Sequence, residues 1–248
     1  MTKIRRTALI TGSGRNIGRS TALSLAAKGH NVVINGSRDK DACDAVAAEA
    51  AKHGVKTLVA MGDVGNAKEC GQIAGAALDE FGTVDVLVNN AAIRPESPFL
   101  DMSEEEWNRV LSVDMSAAFW LARACLPGMI DKGWGRIVNI AGMNAIQGYK
   151  GRAHVSVAKH AAWGLAKALA KEFGARGVST NIISPGPIAG DHPDNPEMAA
   201  HIAAQESKIP VGRLGLPEEI AATVCLLTSD DGAFINGQLI QVNGGTQT

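Results

Sequence analysis

The chain has 248 residues, 46% of them hydrophobic and 20% charged, with a formal net charge of -1. A chain of this length buries a sizeable core, since about three quarters of the unfolded surface disappears at this size. The near-neutral balance, with no basic stripe, points away from nucleic acid and from an anionic membrane surface.

In chain order, MTKIRRTALIT leads into an apolar run that stops at Gly12. That run is too short for a signal segment or a membrane span, so a cytoplasmic chain is expected. β-rich runs at 7–11, 31–35, 56–61, 84–89, 136–140, 179–183 and 239–242 alternate with helix-period stretches near 17–28, 39–53, 67–81, 103–130, 155–175 and 217–228. Most of the strand runs are continuously apolar, as expected of parallel strands covered on both faces. Ser103 with Glu106 predicts a capping box, and Pro217 sits at a first helical position followed by Glu218 and Glu219. Gly54, Gly82 and Gly177 stand where helices end and a positive φ is useful. The four cysteines, Cys43, Cys70, Cys125 and Cys225, have no C-x-x-C spacing and predict reduced core thiols. The pattern predicts an α/β fold: one doubly wound parallel sheet of about seven strands, helices on both faces, in a single domain over 1–248.

The first strand runs into TGSGRNIG, Thr11 to Gly18, and then a helix opens. Glycines in such a turn allow close backbone approach to a pyrophosphate held by free amides at the helix N-terminus. A dinucleotide site asks for an acidic residue after the second strand to hold a ribose hydroxyl. The sequence there reads Asn35-Gly36-Ser37-Arg38, with no carboxylate before Asp39. Arg38 with Arg15 would suit a 2′-phosphate, which favours NADP(H) and leaves NAD(H) open; the alternative is two solvated arginines.

TGSGRNIG resembles the T-G-x-x-x-G-x-G cofactor loop of short-chain dehydrogenases/reductases, with Asn16 in place of the middle glycine. Asn is the best non-glycine choice at a left-handed or N-cap position. Asp63-Val64, Asn89-Asn90-Ala91-Ala92, Pro185-Gly186 and the stretch GRLGLPEEIAATVCLLTSDDGAFINGQLIQVNGG are similar to further motifs of that family, so the likeness covers almost the whole chain and includes similarity to 3-oxoacyl-ACP reductase-like members. The resemblance implies a Rossmann fold and a nicotinamide cofactor held by Gly12, Arg15, Asn16, Ile17, Gly18, Arg38, Asp63, Val64, Asn90, Ala91, Lys159, Pro185, Gly186 and Ile188. It also implies a homo-oligomer, tetramer or dimer, built through helices 103–130 and 155–175.

The family's catalysis uses a Ser, a Tyr, a Lys four residues after the Tyr, and an Asn on an earlier helix. Lys159 matches the lysine, but four residues before it stands Val155. Ala141 or Gly142 takes the serine's place, Asp114 the asparagine's, and Gly190 that of a threonine after Pro185-Gly186. Lys159 also fits a solvated face with Lys167 and Lys171. Asp114 lies on an apolar stripe with Val110, Ala118 and Leu121, where a carboxylate needs a partner or goes neutral. It serves either the site or a structural bond to backbone. His154 is a candidate replacement proton donor; the alternative is a solvated histidine at a helix start. Tyr149, the one tyrosine, either folds inward or merely packs, and Ser156-x-x-Lys159 is an improbable nucleophile motif. The segment 186–210, with His192, Pro193, Asp194, Pro196 and His201, corresponds to the family's substrate lid. No His/Asp/Glu group has metal-ligand spacing. The expected function is NAD(P)(H)-dependent oxidoreduction of a small carbonyl or alcohol with an atypical proton donor. A nucleotide-binding chain without turnover and a non-redox enzyme on the same fold stand beside it.

Overall fold

Runs of aliphatic and β-branched residues become strands here because both faces of each run meet a helix layer. The computed structural model describes residues 5–190 and 206–248. Its strands are β1 (Thr7–Ile10), β2 (Asn31–Ile34), β3 (Thr57–Val59), β4 (Val86–Asn89), β5 (Gly135–Ile140), β6 (Val178–Pro185) and β7 (Leu239–Val242). They form one parallel sheet in the order β3-β2-β1-β4-β5-β6-β7. This is the doubly wound fold read from the sequence. The order reverses between β1 and β4, and ligands of such sheets bind in the crevice beyond the carboxyl ends of the strands at that point.

Two helix layers cover the sheet. On one face α1 (Asn16–Ala27), α2 (Lys40–Ala51) and α7 (Pro217–Leu227) pack around Ile10, Leu25, Ile34, Val88 and Ile220. On the other, α3 (Ala67–Phe81) and α5 (Ala117–Asp131) enclose Leu9, Ile73, Leu87, Leu121 and Met129. α4 (Glu104–Leu111) and α6 (Ala153–Phe173) complete that second layer. Gly54, Gly82 and Gly177 take φ of +72°, +77° and +80°, as their positions after helix ends require. Cys43, Cys70 and Cys125 are buried free thiols and Cys225 is half-buried; burial pushes the Cys70 and Cys125 thiols up to about 12.

The predicted helix 103–130 differs from expectation. It is α4 and α5 joined by a π-turn at Ser112–Ser116, closed by the Ala117 amide donating to the Ser112 carbonyl. A π-turn adds one residue to the helical path, commonly at a functional site. The whole stretch Glu104–Asp131 is long and apolar enough to cross a membrane, but 50% of its most apolar window is buried within the fold, which marks a core helix. The capping box is half formed. Ser103 Oγ accepts from the Glu106 amide, while the Glu106 carboxylate turns to His154.

Candidate active site

The turn after β1 is stitched to the end of β4. Thr11 Oγ1 accepts from the amides of Asn90 (2.9 Å) and Ala91 (3.0 Å), and Asn90 Nδ2 donates to the carbonyls of Thr11 and Gly12. Asn16 lies at φ +51°, the left-handed conformation that its place in the glycine motif demands. A Cβ at Gly18 would stand 2.7 Å from Asn90 Nδ2 and 2.8 Å from Ser13 Cα, and closer still to the Gly12 carbonyl oxygen. No side chain caps α1 at Arg15, and its first turn holds no acidic residue. Free amides, glycine clearance and the positive end of a helix form a cradle that fits a diphosphate.

Asn35, at the end of β2, is buried and turned inward. Its Nδ2 donates to the carbonyls of Ala60 (3.0 Å) and Gly62 (3.1 Å), and its Oδ1 accepts from the Gly12 amide. Asp39 is spent as the N-cap of α2, accepting from the Ala42 amide. Arg15 and Arg38 are exposed. The glycine turn lies close to the start of α2, since a Cβ at Gly14 would touch Cys43 Sγ and Ala42 Cβ. Asp63, beyond β3, is paired with Arg109 of α4 at 2.7 Å, and Val64 is buried.

At the carboxyl ends of β4 and β5, Lys159 of α6 reaches inward. Its Nζ stands 3.1 Å from Asp114 Oδ2 and 3.3 Å from the Ile140 carbonyl, with side chains 3% and 0% exposed for Lys159 and Asp114. Asp114 Oδ1 accepts from the Ile93 amide at 2.8 Å. The backbone bond open for Asp114 is thus made by one carboxylate oxygen, and the other faces Lys159. Lys159 is not on the solvated face that Lys167 and Lys171 suggest. With Thr11, Asn89 and Asn139 the pair lines a small buried cavity beside the glycine loop.

Neither His154 nor the residues at the serine and tyrosine positions, Gly142 and Val155, are among those lining that cavity. His154 is fully buried rather than solvated, so the surface reading is corrected. Its Nδ1 accepts from the Val155 amide, which leaves Nε2 as the donor to Glu106 Oε1 at 2.9 Å. Both ring nitrogens are engaged between α4 and α6. Val155 packs in an apolar cluster with Val110 and Ala158. Gly142 has φ +120°, a conformation that side chains rarely adopt. Tyr149 accepts from Gln147 at its hydroxyl, and Ser156 Oγ accepts from Asn144 Nδ2 at 3.4 Å. Pro185 ends β6, a Cβ at Gly186 would meet Asn243, and Ile188 bridges to Gly215. The bridge secures one root of the segment 186–210; at the other, the Val211 amide donates to Gly244. His192, Pro193, Asp194, Pro196 and His201 lie outside the described residues. Beside these roots Arg213 pairs with Glu219 and holds its carboxyl down to about 2.

Sequence alone assigns no role to Asn35, Arg109 or Gly65. A polar residue closing the apolar run of β2 was the available clue for Asn35; nothing local marks Arg109.

A family model described as enoyl-(acyl carrier protein) reductase matches residues 12–247. The chain is 39% identical over 239 residues to a 3-oxoacyl-[acyl-carrier-protein] reductase of Synechocystis, covering 96% of this chain and 95% of the relative. It is 35% identical to a 3-oxoacyl-[acyl-carrier-protein] reductase of Staphylococcus aureus, covering 98% of each. Among solved structures, acetoin dehydrogenase from Salmonella typhimurium superposes with a TM-score of 0.91 at 31% identity, over 98% of this chain and 96% of that one. With the crossover order, the glycine cradle and the placement of Lys159, these likenesses settle the assignment: the chain belongs to the short-chain dehydrogenase/reductase family of oxidoreductases.

Proposed function

We propose that the chain carries out hydride exchange between NADP(H) and a small carbonyl or alcohol, over the Asp114–Lys159 pair. That pair carries the reading. A lysine with a side chain 3% exposed is costly to bury, and here it lies at the cleft where the cofactor's reacting end belongs. A bound nicotinamide dinucleotide would supply the hydride chemistry. The chain's own residues supply binding and protons. The amides of Asn16, Ile17 and Gly18 hold the diphosphate beside Gly12. Asp63 and Val64 take the adenine, and Asn90, Ala91, Pro185, Gly186 and Ile188 flank the nicotinamide half. Lys159 holds the ribose and, with Asp114, keeps a proton near the substrate oxygen. The names of the relatives point to substrates with a ketone and a second oxygen function close by, as in a 3-oxoacyl thioester or a hydroxyketone.

A second reading, nucleotide binding without turnover, is favoured by one observation. Neither Gly142 nor Val155 offers a hydroxyl, and the ring of His154 is committed to Glu106.

The cofactor assignment rests on Arg15 and Arg38, which are exposed beside the loop where an acidic residue would otherwise hold the ribose. Calorimetric titration with NADPH and NADH is expected to give tighter NADPH binding. Arg38→Ala should weaken NADPH by about 10–100-fold, one charge-assisted hydrogen bond, and leave NADH unchanged. Equal weakening of both nucleotides, or a preference for NADH in the wild type, would remove the NADP(H) assignment.

A further inference from the structure

We infer that Arg109 is a positioning residue for the adenine end of the cofactor, and that Gly65 is bare so that Arg109 can reach its place. The inference rests on the dinucleotide reading above. Asp63 leaves β3 with its carboxylate fixed at both oxygens. Oδ1 accepts from the Gly65 amide at 2.9 Å, and Oδ2 meets Arg109 Nη2 at 2.7 Å. Its own amide donates to Glu69 Oε2 at 2.7 Å. Arg109 comes from the last turn of α4 and crosses the loop at Gly65 to make this contact.

The space for that crossing exists only because residue 65 has no side chain. A Cβ there would collide with Arg109 Nη1, stand 3.1 Å from its Cζ and 2.8 Å from Val113 Cγ2. Gly65 is not among the residues with positive φ, so clearance and not backbone conformation is what glycine supplies. The ion pair itself is partly exposed, with side chains 42% and 34% accessible, and pairs of that kind add little to stability. A steric arrangement this specific, for an interaction of small structural value, is explained by what the carboxylate does. Both of its oxygens keep lone pairs, and the adjacent guanidinium and the Gly65 amide fix it in direction. An adenine exocyclic amino group is a donor matched to that acceptor. Through the π-turn, the helix that anchors Asp63 also carries Asp114, so one element sets the adenine end and the reacting end of the cleft.

The test compares binding of NADP+ with binding of its etheno derivative, whose amino nitrogen is closed into a ring and cannot donate. The wild type is expected to prefer NADP+ by about tenfold or more, the worth of one hydrogen bond to a charged group. Arg109→Ala should bring that preference close to unity while etheno affinity stays within about twofold. Gly65→Ala should do the same by displacing the guanidinium with both charged residues intact, and it serves as the independent variant if Arg109→Ala folds poorly. Wild-type preference retained in both variants, or equal weakening of the two nucleotides, overturns this inference alone. Failure of the wild type to bind either nucleotide overturns it together with the dinucleotide reading.

Discussion

Asp114→Ala is expected to destabilise the folded chain by about 3–5 kcal/mol, the cost of leaving a buried charge without its partner. For a chain of this size that lowers Tm by on the order of 10 °C. The Lys159 ammonium is 3% exposed and has two neighbours, Asp114 Oδ2 and the Ile140 carbonyl. Removing the carboxylate also orphans the Ile93 amide, which now donates to Asp114 Oδ1. Asp114→Asn keeps a single acceptor, enough for the Ile93 amide but not also for Lys159, so its loss should be smaller than that of the alanine variant by about one hydrogen bond. Urea denaturation of the three proteins measures both. A loss under about 1 kcal/mol for the alanine variant would mean that Lys159 is not held there as a charged, desolvated group.

Gly18→Ala has the second large effect, and it falls on binding more than on folding. The new methyl would be driven against Asn90 Nδ2 and Ser13 Cα, both under 3 Å, and against the Gly12 carbonyl. Backbone cannot yield there without moving the turn, because Asn90 Nδ2 holds the Thr11 and Gly12 carbonyls. Overpacking of this kind costs about 1–3 kcal/mol in stability. If the displaced turn loses two charge-assisted amide contacts to the diphosphate, dinucleotide affinity should fall by about 10²–10⁴-fold. Fluorescence titration with NADPH reads this directly, and wild-type affinity in the alanine variant would show that the diphosphate lies elsewhere.

What the sequence makes legible is local. Apolar runs covered on both faces, Pro217 at a helix start, glycines after helix ends and the left-handed Asn16 are each fixed by residues within a few positions. What it hides depends on partners from distant elements. His154 at a helix start looks solvated until Glu106, from another helix, covers it. The same contact diverts Glu106 from the capping box that its spacing from Ser103 suggests. Arg109 is an unremarked polar residue on an exposed helix face until Gly65 and Asp63 are brought beneath it. The π-turn is silent too, since one extra residue leaves the apolar stripe of a long helix almost unchanged. Asp114 stands between these cases. Its place on the stripe declared that it needed a partner, but the identity of that partner came only with the fold. Nor is the missing serine a matter of one atom. With φ at +120°, Gly142 follows a backbone path that a serine would have to bend.

In the proposed function, hydride transfer persists over the Asp114–Lys159 pair without the family's serine and tyrosine hydroxyls. It is tested most directly by incubating the protein with NADPH carrying deuterium at the transferred position and a 3-oxoacyl thioester or a hydroxyketone, then following nicotinamide absorbance and the label. The expected result is deuterium in the alcohol product, formed about 10²–10⁴-fold more slowly than in a tyrosine-bearing relative, the usual contribution of general acid–base help. Tight NADPH binding with no label transferred to any substrate of either class would contradict the claim and leave a nucleotide-binding chain without turnover.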